Sequence, residues 1–176
     1  MRWVKYMSDI VFRNTSYAFF TEIRHGQIRL KGKLDSGAPI SVFNLSALSL
    51  YLGADESVLR QQIVNSNTPA SAFKGYNGLA SRLYLCAIHN VMIDQFNFNV
   101  FYVGVSLDYP IDRDGRPITK ILIGMDLLNS CDGTIHHGGN IELTVKSMEF
   151  QKKRMLEAFH ATTSDHILVI DELKEQ

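Results

Sequence analysis

Asp35-Ser36-Gly37 is the stretch of this chain whose residue types, in that order, could do chemistry. A carboxylate delivered into a turn can hold or take a proton. The hydroxyl of Ser36 can bond backbone groups around the turn and keep the carboxylate still. Gly37 permits backbone angles and a close approach that a Cβ would forbid. The tripeptide alone is also an ordinary turn, since Asp, Ser and Gly all favour turns.

The other candidates carry less. Asp126 precedes Leu127-Leu128 and lacks a following Ser-Gly. A carboxylate in a first helical turn is favoured by the unpaired N–H groups there, so Asp126 reads as structural. Asp112-Arg113-Asp114-Gly115 hints at a calcium loop but lacks the remaining ligands and terminal glutamate of an EF-hand. His136 and His137 are adjacent, and neighbours on a strand point to opposite faces rather than at one ion. No metal site is expected. Cys86 and Cys131 make no disulfide framework; they read as buried free thiols, which suits a reducing compartment.

The elements that must position Asp35 follow from periodicity. Ile28, Leu30 and Leu34 alternate with Gln27, Arg29, Lys31 and Lys33, the pattern of a half-buried strand. With residues 18–24 it forms a hairpin turned at His25-Gly26. Residues 40–43 make a short strand, and Asn44 N-caps a helix that runs through Leu52 and stops at Gly53. A second helix spans 55–64, with Val58, Ile63 and Val64 on one face. Asn77-Gly78, between residues 70–76 and 79–88, is the strongest hairpin signal in the chain. Strands follow at 91–93, 98–105, 120–123, 134–136 and 141–145, with a short helix at Leu127-Leu128. Residues 148–160 form an amphipathic helix carrying Met148, Met155, Leu156 and Phe159. Ile167-Leu168-Val169-Ile170 is strand-like and too apolar to leave in water. Charges at Asp165 and Asp171-Glu172 suit it to covering the chain's own sheet edge rather than a cleft.

Composition sets bounds. The 176 residues are 45% hydrophobic and 20% charged, as in an ordinary globular domain. Lys+Arg and Asp+Glu are both 18, which gives no electrostatic footprint for nucleic acid or an anionic membrane surface. The N-terminus lacks the apolar core of a signal peptide, and no apolar run approaches transmembrane length. The expected location is cytoplasmic.

Three signatures in order make a family resemblance. Leu34-Asp35-Ser36-Gly37-Ala38, the hairpin Gly75-Tyr76-Asn77-Gly78, and Ile121-Leu122-Ile123-Gly124-Met125-Asp126-Leu127-Leu128 together resemble retropepsin-like aspartic proteases, the single-lobed class that includes the retroviral enzymes. The resemblance implies a mainly β fold, a closed barrel with short helices, here with a C-terminal helical extension. The protease domain would span 18–146; residues 1–17, poorly periodic, read as an N-terminal arm, and 147–176, where the resemblance runs out, read as an extension packed on the core. The resemblance also implies an aspartic endopeptidase without metal or organic cofactor. Asp35 would be catalytic, Ser36 and Gly37 would support the loop, and Ala38, Leu122 and the flap residues Gly75, Tyr76, Asn77 and Gly78 would bind an extended peptide or protein substrate. One Asp-Ser-Gly per chain implies a homodimer, with the second carboxylate supplied across a twofold axis. Ser36 keeps the hydroxyl of the commoner threonine and loses a methyl. Met125 stands where the retroviral enzymes often carry arginine, which exchanges an ion pair for an apolar anchor. The rival reading is a catalytically silent dimerisation or peptide-binding module that retains the fold.

Overall fold

The computed structural model describes residues 20–74, 80–108, 114–115, 120–137, 141–163 and 166–170. The Gly75-Tyr76-Asn77-Gly78 tip, the N-terminal arm, Asp112-Arg113, Asp165 and Asp171-Glu172 lie outside them.

The alternating run ahead of Asp35 is a strand. β1 (Phe20–His25) and β2 (Ile28–Leu34) pair antiparallel across a turn where Gly26 has φ 57°. Buried Gly32 and Leu34 alternate with exposed Lys31 and Lys33, so one face enters the core and the other meets solvent. β3 (Val42–Asn44) leads into α1 (Leu45–Leu52). Asn44 Oδ1 accepts from Ala47 N at 2.9 Å, and Gly53 closes the helix in the left-handed region. α2 (Glu56–Asn65) is N-capped by Asp55. Its buried face is Leu59 and Ile63, whereas Val58 and Val64 are exposed; this corrects the face expected from the sequence.

β4 (Ala70–Lys74) and β5 (Ala80–Ile93) form the hairpin, and β6 (Phe96–Ser106) returns along β5. β7 (Ile121–Ile123) enters α3 (Met125–Leu128); β8 (Cys131–Ile135) and β9 (Ile141–Val145) make a separate two-stranded ribbon. α4 (Met148–Ala158) and β10 (Leu168–Ile170) complete the described chain.

Strands β1-β2-β7-β3-β6-β5 are neighbours in that order, and β5 pairs back onto β1. The ring is therefore a closed six-stranded barrel of mixed parallel and antiparallel pairs, and the mainly β expectation holds. One edge of β5 is used three times along its length. It pairs with β4 at 80–84, with β10 at 86–88 and with β1 at 92–93. The apolar tail run thus adds a parallel strand to the chain's own sheet, which leaves less open edge.

The main core fills the barrel and runs out under α1, where Tyr51 packs edge-on against Phe43. A second cluster joins Leu83 and Leu85 of β5, Tyr102 of β6 and Ile40 to Met155, Phe159 and Ile167 of the C-terminal extension. Cys86 and Cys131 are buried thiols, and burial pushes both up to about 12. No helix among the described residues is long and apolar enough to cross a membrane.

Candidate active site

Strand order explains why the Asp35 loop lies where it does. β2 pairs parallel with β7, and β7 pairs antiparallel with β3, so β7 is inserted between two strands that are consecutive in sequence. The chain from Asp35 to Ser41 must therefore cross the end of β7 to get from one neighbour to the other. Asp35 N donates to Ile123 O at 2.9 Å, Met125 N to Ala38 O at 2.9 Å, and Gly124 N to Ser41 Oγ at 3.1 Å. A Cβ built on Gly124 would lie 2.5 Å from Ile40 O and 2.7 Å from Ala38 O. Only glycine admits that crossing, which ties two of the sequence signatures into one piece of structure.

Asp35 is half-buried at the start of the loop, and its Oδ1 accepts from Gly37 N at 2.9 Å. The bond that steadies the carboxylate thus comes from a backbone N–H; Ser36 is exposed. Gly37 serves by close approach rather than by a left-handed backbone: a Cβ there would meet Asp35 Oδ1 at 3.2 Å, and its φ is not positive.

Asp35 lines a cleft of about 950 Å³. Its floor comes from register. Lys33, Leu122 and Val42 are successive Cα partners across β2, β7 and β3, so their side chains share the outer face of the barrel. Ala38 and Leu122 line this cleft beside Asp35, as does Gly37. Phe73, Lys74, Ser81 and Leu83 of the β4–β5 hairpin form the opposite wall, with Asp108 and Lys120 at its margin. The same row continues beyond Val42 to Gly104 and Leu85. There it is covered: Phe159 Cζ lies 3.4 Å from a Cβ built on Gly104, and the Phe159 ring sits 5.1 Å from that of Phe73.

Asp126 does not line the cleft. It is buried, accepting from Ser41 Oγ at 2.9 Å through Oδ1 and from Gln151 Nε2 at 2.7 Å through Oδ2. Burial pushes its carboxyl up to about 6, against the pull of those hydrogen bonds. Gln151, from α4, was not legible in the sequence; a polar residue on an amphipathic helix reads as solvent-facing. His136 bonds Glu142 at 3.0 Å, and no cluster of metal ligands occurs among the described residues.

No family model matches the chain. No curated protein matches it either. Among solved structures it is similar to a retropepsin-like aspartic protease from Rickettsia conorii, at 18% identity and a TM-score of 0.47, covering 74% of this chain and 92% of that one. It is also similar to the retroviral protease-like domain of Ddi1 from Leishmania major, at 18% identity and a TM-score of 0.40, covering 73% and 87%. Retropepsin-like aspartic proteases, the family that the sequence motifs resemble, are thus represented among the solved structures to which the chain is similar.

Proposed function

We propose that the chain is an aspartic endopeptidase whose catalytic pair is two copies of Asp35, one from each subunit of a homodimer. The observation that carries this reading is the setting of Asp35. It is a half-buried carboxylate, fixed by its own loop, at the floor of a cleft facing the β4–β5 hairpin. The chain has a single Asp-Ser-Gly, so a second chain must bring the other carboxylate.

Two carboxylates held together cannot both ionise cheaply, so they share one proton and titrate as a unit. The ionised member takes a proton from a water held between them as its oxygen attacks the scissile carbonyl carbon. The protonated member donates to the carbonyl oxygen. Collapse of the tetrahedral intermediate breaks the C–N bond as a proton passes to the leaving nitrogen. Ser36 of each chain would brace the other's loop. Gly75, Tyr76, Asn77 and Gly78 would close over the substrate as a flap.

An extended peptide fits between hairpin and floor as an added strand. Ala38, Val42, Leu83 and Leu122 favour apolar side chains next to the cut. Exposed Lys33, Lys74 and Lys120, set against Asp108 at the margin, favour acidic residues flanking them. Two buried thiols fit a reducing compartment such as the cytoplasm.

The test is mass spectrometry of an unfolded protein mixture after incubation with the wild-type chain or with Asp35→Asn. New peptides with apolar residues at the cut, absent with the variant, are expected. Equal patterns would remove the protease reading and leave the silent peptide-binding module.

A further inference from the structure

We propose that Gln151, on the C-terminal helix, is a positioning residue for the Asp35 loop, which makes the extension a working part of the site rather than a cover. The proposal rests on the reading of Asp35 as catalytic.

Gln151 is 1% exposed, and its amide is fully used. Nε2 donates to Tyr102 O at 2.8 Å and to Asp126 Oδ2 at 2.7 Å, while Oε1 accepts from Tyr102 N at 3.2 Å. Two donors and one acceptor, diverging from one buried point, are what a primary amide supplies. A glutamate would lose the donors and set a second carboxylate against Asp126. An apolar residue would leave buried polar groups of β6 and Asp126 without these partners.

From Asp126 the connection runs on. Its Oδ1 accepts a hydrogen bond from Ser41 Oγ, and that oxygen in turn accepts from the N–H of Gly124. Ser41 ends the loop that Asp35 begins, and its carbonyl accepts from Gly104 N at 3.0 Å on β6. Gln151 therefore adds, beside the direct Gly104–Ser41 bond, a second tie between the far end of the loop and barrel strand β6, two bonds to Tyr102 and one to Asp126. Without that tie, Asp126 is held only by Ser41 and its own backbone, and the Ser41–Gly124 contact loosens, which moves the peptide carrying Asp35. Misplacement of a reacting group by about 1 Å costs on the order of a hundredfold in rate.

The experiment is hydrogen exchange and steady-state kinetics on the full chain carrying Gln151→Met, which keeps length and volume and removes the hydrogen bonds. Positioning predicts that the Ala38, Gly124 and Met125 amides exchange at least about tenfold faster while the β8–β9 ribbon is unchanged. It also predicts that kcat falls about tenfold or more with KM within about threefold. Faster exchange confined to α4, with kcat unchanged, would mean that Gln151 only holds its own helix and would overturn the proposal. Gln151→Asn, whose amide is one methylene too short to reach both partners, is judged by the same criteria if the methionine variant does not fold. The exchange readout needs no turnover. A wild-type chain that cleaves nothing yet loosens its loop in the variant would sink the protease reading and leave the mechanical coupling intact.

Discussion

Two carboxylates bound to the same loop are prepared for different work. Asp35 is reachable from the cleft and held by one backbone N–H, which fixes its direction while leaving it open to the substrate and second carboxylate that the proposed function requires. Asp126 is fully enclosed and bonded on both oxygens, which makes it a tie rather than a reagent. Its carboxyl is pushed up to about 6 by burial, above the value near 4 of an unfolded aspartate. Between these two values the folded chain binds the proton that the unfolded chain releases. This group's contribution to stability is therefore greatest below about pH 4, falls as pH rises, and levels off above about 6, a change on the order of 3 kcal/mol. Asp126→Asn removes that slope; urea midpoints from pH 4 to 7 for both proteins should diverge across this window, and parallel curves would contradict the assignment. Asp35→Asn, by contrast, should leave the urea midpoint within about 0.5 kcal/mol of wild type while turnover is lost. Large destabilisation there would mean that Asp35 is structural.

At the scale of elements, the loop and β7 stand or fall together. Gly124→Ala places a methyl against the carbonyls of Ile40 and Ala38, backbone atoms that cannot give way cheaply. It should cost about 1–3 kcal/mol in denaturant stability and depress activity further than that loss explains. Phe159 closes the row beyond Val42 and braces Phe73 of the hairpin. Phe159→Ala should cost about 3–5 kcal/mol and broaden the substrate side chains accepted at that end; an unchanged cleavage profile would show that Phe159 does not bound the cleft. Much of this architecture was legible because it is local. Period-two alternation marked β2, Asn44 and Gly53 marked the ends of α1, and the Asn77-Gly78 pair marked the hairpin joining β4 and β5. The misses needed tertiary information. β5 runs unbroken to Ile93 because Asn90, at φ 55°, drops out of the β5–β6 register without ending the strand. α2 turns Leu59 inward although Val58 and Val64 are equally apolar, because α1 decides which face is covered. Gln151 gives no signal until Tyr102 and Asp126 are brought to it.

For the whole molecule, barrel strands β2, β3 and β7 and the C-terminal extension converge on the loop that, under the proposed function, carries half of a catalytic pair. On that proposal the other half is another copy of the same loop. Activity per subunit should therefore fall on dilution as dimers part, and sedimentation finding an active monomer would contradict this. The most direct test of the central claim is a mixing experiment. Wild-type and Asp35→Asn chains are unfolded together in equal amounts, refolded so that subunits exchange at random, and assayed at constant total protein. If each site needs Asp35 from both subunits, only the pure wild-type dimers cleave, and activity is about one quarter of the unmixed wild type. An activity of about one half would mean that each chain works with its own carboxylate, and the shared pair would have to be abandoned.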